Sequence, residues 1–309
     1  MSKKILFLYS MQKHKAQLQL CESVFKAILR KFRKSALFSY MQIDLSPSQC
    51  TLMKDILVKE LSRYDAVFIN GDMETLCLHN DFIKDVLSPF STEHYAAGRV
   101  IFFPEDSVNT EQSDDAVTQI HICLKENIAK SAQEAAKVAK ERKKTIAICT
   151  QAGCCADNIF LREAEYALAK ERHLDIEHIY LDEMISLCMK TIPSFDVVLT
   201  SNQYAKIIAM HLNSLPNSPT GYLKSHTEHG RIYHRQVLPH EEMNNTPLAS
   251  ATLAFAAILE NELKMKSAAD WLRRAVSLAY EKCACASKED FIHEVICEIE
   301  IPMRKQRVK

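Results

Sequence analysis

Ile5–Tyr9 (ILFLY) is an unbroken apolar run, the pattern of a strand covered on both faces. Lys15–Lys31 follows at helical spacing, with Leu18, Val24, Ile28 and Leu29 on one side. Leu37–Ile43 predicts a second strand and Ser48–Leu61 a second helix. Asp65–Asn70 (DAVFIN) predicts a third buried strand, closed by Gly71. This β-α-β-α-β alternation predicts a parallel sheet with helices on both faces. Periodicity weakens from Asp72 to Ala97, where a short helix around Asp81–Leu87 stops at Pro89. Arg99–Phe103 (RVIFF) is a strand. Glu105–Asp115 is acidic and predicts a solvated loop. Val117–Leu124 alternates, so one face is buried, and His121 falls on its polar face or at an interface.

Glu126–Arg142 is the strongest helix, with Ile128, Ala132, Ala135 and Val138 as its apolar stripe and its charges turned to solvent. Thr145–Cys149 is a strand, followed by the loop QAGCCADN, a helix over Ile159–Arg172 and a strand over Glu177–Leu181. Residues 221–243 predict loop or irregular strand. Pro247 opens a long helix to about Met265, since proline suits the first helical position. Helices over Ala268–Lys282 and Ser287–Glu298 complete the chain, before a basic tail.

The 309 residues allow two ordinary domains or one large α/β unit. Lys+Arg and Asp+Glu balance at 39 each, which does not point to nucleic acid or an anionic membrane. No apolar run approaches the ~18–20 residues that span a bilayer, and MSKKILFLYS reads as a first strand and not a signal peptide. Eleven cysteines without framework spacing suit a reducing, cytoplasmic setting and read mostly as small buried hydrophobes. Cys154–Cys155, Cys283–Ala284–Cys285 and the trio His226, His229 and His234 lack metal-site spacing. Glycine is scarce: five residues, where ordinary usage of ~7% gives about twenty. Neither GxGxxG nor GxxxxGK[ST] occurs, which excludes a P-loop and a dinucleotide fold of the fingerprint type.

Candidate chemistry gathers in Tyr180–His211, which runs strand end, helix, buried strand, helix. Asp182 and Asn202 each sit just after a strand, at the start of a helix, where open α/β sheets hold ligands. Lys206 and Met210 share the Asn202 face. Six pieces in order carry a resemblance: DAVFIN-G at 65–71, ENIAKSAQEAAKVAKERKK at 126–144, YLDEM at 180–184, PSFDVVLTSNQY at 193–204, EHG at 228–230 and TPLASATLAFAAILE at 246–260. Together they resemble the isocitrate/isopropylmalate dehydrogenase family, NAD(P)-dependent enzymes that oxidise and decarboxylate a 2-hydroxy acid with a divalent metal. The resemblance implies an α/β, isopropylmalate dehydrogenase-like fold: two α/β domains around a central cleft, with a mixed sheet and a dimerising arm that includes Val117–Leu124. It places residues 1–93 and 227–309 in the first domain, the cofactor side, and 94–226 in the second. It implies a homodimer, or a heteromer with an active paralogue.

The family's reactive groups are not matched. Ser10–Lys13 replaces its glycine-rich turn, and Pro104–Glu105 stands where its last substrate arginine precedes a glutamate. No counterpart of its catalytic tyrosine follows Glu105. Its catalytic lysine falls on Gln151 and the asparagine two further on is Gly153. Of its three metal aspartates, Asp182 survives while the other two positions are Lys206 and Met210. A hard divalent cation wants oxygen ligands, which an ammonium and a thioether do not supply. The expectation is a degenerate, inactive member with a regulatory, interaction or metabolite-sensing role and no cofactor, Lys206 pairing with Asp182 across a dimer interface. The alternative is an active oxidoreductase on a 2-hydroxy acid, using NAD or NADP with Mg and substitute residues such as Glu105, His121 and His229. Any cofactor contact falls to Glu228, His229, Gly230 and Asn245. A third reading takes Cys154 or Cys155 as a nucleophile at a helix start.

Overall fold

A computed structural model describes residues 3–9, 12–43, 50–70, 87, 89–112, 117–189, 195–213, 221–235, 246–283 and 287–301. The chain forms two compact units, Met1–Ser88 with Asn217–Lys309, and Pro89–Pro216.

The first unit opens with β1 (Lys3–Tyr9), α1 (Gln12–Lys31), β2 (Ala36–Gln42), α2 (Cys50–Leu61) and β3 (Ala66–Asn70). The second holds β4 (Ser91–Ala96), β5 (Arg99–Pro104), β6 (Asp106–Gln112), β7 (Val117–Cys123), α3 (Lys125–Glu141), β8 (Thr145–Thr150), α4 (Cys155–Leu168), β9 (Asp175–Tyr180), α5 (Leu181–Cys188), β10 (Val197–Thr200) and α6 (Asn202–Asn213). The chain returns to the first unit with β11 (Tyr222–Thr227), β12 (Gly230–Arg235), α7 (Thr246–Asn261), α8 (Lys266–Cys283) and α9 (Lys288–Glu300). The breaks between units fall before β4 and before β11, so each of the hairpins β4–β5 and β11–β12 stays whole.

In the first unit the strand order is β2-β1-β3-β12-β11, with β11 alone antiparallel. Strand alternation puts Leu6 and Leu8 on one face, packed with Leu57, Leu61, Val67 and Ile69. Phe7 faces the other way and meets Phe38, Phe68 and Phe255 at centroid distances of 5.6, 6.1 and 5.4 Å. Helix α7 is apolar all round because it is buried on every side: Leu248 to Leu259 are all buried.

In the second unit the order is β4-β5-β10-β8-β9, with β4 alone antiparallel. The buried stripe of α3 is Ile128, Ala132, Ala135, Ala136 and Ala139, set against Val100, Phe102, Ile146, Ile148, Val197 and Leu199. The guanidinium of Arg142 closes this layer: Nε and Nη2 donate to the two oxygens of Asp196, each at 2.7 Å. Strands β6 and β7 form a two-stranded sheet of their own.

Four expectations need correction. Residues 106–112, expected as a solvated loop, form β6, which pairs antiparallel with β7 along its whole length. Ser91–Ala96 forms a strand that periodicity did not predict, because Ser91, Thr92, Glu93 and His94 are polar and yet buried. Residues 221–235, expected to be irregular, form a regular hairpin of β11 and β12. Helix α4 begins at Cys155 and ends at Leu168, several residues before the expected span at both ends. The helix expected over Asp81–Leu87 lies outside the described residues apart from Leu87.

Candidate functional site at the strand ends of the second unit

The carboxyl ends of β8, β9 and β10 lie together, because these strands run parallel through the sheet. Each ends in a polar residue followed by a helix start. From β8 the chain passes Gln151 to α4, from β9 it enters α5 with Asp182 in the first turn, and from β10 it enters α6 at Asn202.

Gln151 is held from two sides. Its backbone N–H donates to Asp157 Oδ2 at 2.6 Å, and its side-chain Oε1 accepts from the Tyr204 hydroxyl at 3.1 Å. Asp157 lies in the first turn of α4, where a carboxylate also suits the helix dipole. Asp157 and Tyr204 are both buried, at 7% and 8% exposure. Burial, and then the Asp157 carboxylate beside it, push the Tyr204 hydroxyl well above its ordinary value. Beneath this layer, Thr200 Oγ1 donates to the Cys149 carbonyl at 2.9 Å. Burial pushes the Cys149 thiol up to about 12, so it stays protonated. At the neighbouring strand end Thr150 Oγ1 lies 2.7 Å from His178 Nε2. Asn202 Nδ2 donates to Asp106 Oδ1 at 2.8 Å, which ties the start of α6 to β6.

Among the predicted site residues, Gln151 therefore enters a hydrogen-bond network, while Asp182, Lys206 and Met210 stand exposed on α5 and α6. Lys206 and Met210 lie one turn apart, and Met210 is 54% exposed beside Ile207 at 39%. One carboxylate, one ammonium and one thioether do not suit a hard divalent cation, which takes several oxygen ligands. Glu105 stands at the end of β5, where its carboxylate accepts from Thr92 Oγ1 at 2.8 Å. The side chain of His121 lies outside the described residues.

Glu228 and His229 form the two-residue turn between β11 and β12, and Gly230 pairs with Thr227 at its base. The His229 N–H donates to Thr227 Oγ1 at 3.2 Å, and that hydroxyl donates to the Gly230 carbonyl at 3.0 Å. Since β12 runs parallel to β3, the turn lies at the amino ends of these strands. Parallel sheets hold ligands at the opposite, carboxyl ends. The turn lines a recess of about 250 Å³ with Tyr64, Asp65, Arg231 and Glu262. Asn245 lies outside the described residues. Among the described residues, Asp65 and Glu262 bring two carboxylates to this recess, which do not suit a pyrophosphate. The three histidines do not converge: His226 and His234 are buried, with His234 Nε2 at 2.9 Å from Ser225 Oγ, and His229 is exposed. Cys154 is the N-cap of α4 without a side-chain capping bond and is half-buried, and Cys155 is exposed, which corrects the expectation that both are core residues.

Sequence reading missed Asp157 and Tyr204. Their signal was weak but present: both are polar residues in the first turn of a helix that directly follows a buried strand.

No protein-family profile matches the chain. Two curated relatives do. The chain is 28% identical over 133 residues to a 3-isopropylmalate dehydrogenase from Buchnera aphidicola, covering 43% of this chain and 36% of that protein. It is 26% identical over 211 residues to a 3-isopropylmalate dehydrogenase from Campylobacter jejuni, covering 65% of this chain and 56% of that protein. In sequence the chain is similar to 3-isopropylmalate dehydrogenases. The fold agrees. A β-decarboxylating dehydrogenase from Thermococcus kodakarensis superposes with a TM-score of 0.72 at 14% identity, over 99% of both chains. An isocitrate dehydrogenase from Methylococcus capsulatus gives 0.73 at 13% identity, over 96% of this chain and 99% of that one. The matched stretches span about a third and about half of the curated relatives' lengths. No helix among the described residues is long and apolar enough to cross a membrane.

Proposed function

We propose that this chain is a member of the isocitrate/isopropylmalate dehydrogenase family that does not catalyse oxidative decarboxylation. It acts by association, as a homodimer or as the partner of an active paralogue, in a regulatory or metabolite-sensing role in the cytoplasm. The observation that carries the reading is the Gln151–Asp157–Tyr204 network. At the place where the resemblance puts a proton-transferring lysine stands an amide, which has no proton to exchange at neutral pH. The hydroxyl beside it is engaged by that amide, and burial makes it a weaker acid. Lys206 and Met210 support the same reading, since neither replaces a carboxylate as a ligand for magnesium. In an assembled dimer Lys206 supplies positive charge in place of the metal and pairs with Asp182 of the partner subunit.

The test is ligand-dependent stability together with turnover. A ligand at 100 times its dissociation constant adds about 2.7 kcal/mol. NAD, NADP and magnesium, alone and together, are expected to leave the melting temperature unchanged, and 2-hydroxy acids to give no reduced cofactor. The Lys206→Asp, Met210→Asp double variant is expected to gain a magnesium-dependent shift. Turnover by the unaltered chain with cofactor and metal would overturn the proposal. An Asp182→Ala variant whose subunit association is unchanged would remove the pairing while leaving the rest.

A further inference from the structure

Helix α9 turns one stripe to solvent. Asp290, His293, Cys297 and Glu300 are exposed, while Phe291, Ile292, Val295 and Ile299 are buried. His293 and Cys297 are four apart, one turn along the same face. The imidazole Nδ1 lies 3.6 Å from the Cys297 Sγ. In a tetrahedral zinc site, with Zn–S of about 2.3 Å and Zn–N of about 2.0–2.1 Å, the S···N edge is about 3.6 Å. The pair thus already holds one edge of that tetrahedron. In the metal-free chain the same distance is a thiol–imidazole hydrogen bond, and a metal would take the place of the shared proton.

The platform under the pair is fixed at both ends. Ser287 caps α9 by accepting from the Asp290 N–H at 3.1 Å. Lys282 bridges Glu294 and Glu298 at 2.7 and 2.6 Å, and Lys31 Nζ donates to the Ile301 carbonyl at 2.7 Å. Among the described residues no third histidine, cysteine or carboxylate converges on the pair. We propose that His293 and Cys297 are half of a tetrahedral zinc site, completed by the same two residues of a second copy of the chain. A two-fold axis through the ion would make the contact self-complementary and the ligand set Cys₂His₂. Glu289 and Asp290 lie one turn before the pair, and at the other end of the stripe Glu300 is paired with Arg30 at 2.7 Å. Binding releases the thiol proton to solvent and uses neutral imidazole, so the pairing weakens as pH falls.

The proposal is independent of whether the strand-end site is catalytic. It is tested on the full chain by light scattering with zinc sulfate and then EDTA. The expected result is a mass twice that of the zinc-free protein, one zinc per two chains, reversed by EDTA. Cys297→Ser and His293→Ala are each expected to abolish the doubling, and Cys155→Ser, at an exposed thiol elsewhere, to leave it intact. Cobalt(II) should give a thiolate-to-metal absorption band that Cys297→Ser removes. No change of mass with zinc, one zinc per chain without doubling, or doubling that survives Cys297→Ser would each overturn the proposal.

Discussion

In the first unit Phe7, Phe25, Phe68 and Phe255 meet between sheet and helices, with Phe255 at 5.4, 4.9 and 4.8 Å from the other three rings. In the second, the equivalent layer is built from Ala132, Ala135, Ala136 and Ala139 of α3 against Val, Ile, Leu and Phe of the sheet. In each unit four strands run parallel and one neighbour runs antiparallel. One layout has therefore been filled in two ways. Aromatic side chains hold helix and sheet apart and fill the gap, while alanines let the backbones approach closely. The two cores should fail in opposite directions.

Shrinking the first core gives the largest expected effect. Phe255→Ala removes a ring that touches three others and is expected to cost about 3–5 kcal/mol in chemical denaturation. Enlarging the second should cost less but in the opposite chemical sense. Ala135→Leu has no space against the sheet and is expected to cost about 1–3 kcal/mol. If Ala135→Leu were neutral, close approach of α3 would not explain its alanines.

A second comparison lies in the strand starts Tyr64–Asp65–Ala66–Val67 and Phe195–Asp196–Val197–Val198. Asp65 accepts from Lys3 Nζ and the Lys4 N–H at 2.7 and 2.8 Å, on a surface where both side chains reach water. The Lys3 hydrogen bond and then the Lys4 N–H hold its carboxyl below the usual range. Burial pushes Asp196 up, but its bonds to the Arg142 guanidinium outweigh this and hold it low as well. Only 9% of the Asp196 side chain is exposed, and its pairing with Arg142 is bidentate. Asp196→Asn is therefore expected to cost about 2 kcal/mol at pH 7, at the low end for charged hydrogen bonds because a third of Arg142 remains in water. Asp65→Asn should cost under about 1 kcal/mol. Both folded carboxyls sit below their unfolded values. The contribution is therefore complete above about pH 4 and is lost as pH falls through the folded pKa. Denaturation of each variant beside the parent at pH 7 and at about pH 3 checks this: the gap should narrow in acid, and more for Asp196.

The parallel strands were legible because continuous apolar runs such as ILFLY and the DAVFIN piece leave few alternatives to a doubly covered strand. Helix α3 was legible from its stripe. The two missed strands have no apolar pattern to show. In β4 the buried residues are Ser91, Thr92, Glu93 and His94, and β6 is DSVNTEQ. At the site, Gln151, Asp182 and Lys206 could be placed because each follows a recognisable strand. The bonds that occupy Gln151 come from Asp157 and Tyr204, six and fifty-three positions away, and only the sheet brings them together. Glu228–His229–Gly230 is a case where one short stretch carries two readings. Three residues match a functional loop, and Thr-Glu-His-Gly is also a serviceable tight turn between two paired strands.

The smallest expected effect separates the two hairpins. Both have two-residue turns, Ala97–Gly98 between β4 and β5 and Glu228–His229 between β11 and β12. Ala97 and Gly98 have φ of 47° and 78°, both left-handed, which is the type I′ arrangement. Alanine is strained there, whereas asparagine tolerates this region and is favoured before glycine in such turns. In the other hairpin neither Glu228 nor His229 has positive φ, and the unusual backbone falls on Gly230 at 131°. Ala97→Asn is therefore expected to stabilise the protein by roughly 0.5 kcal/mol, read as a higher denaturation midpoint at unchanged slope. Glu228→Asn, made in the same way at the other turn, should leave the midpoint where it is. Equal gains at both turns would mean that asparagine acts through the unfolded chain and not through the left-handed strain at Ala97.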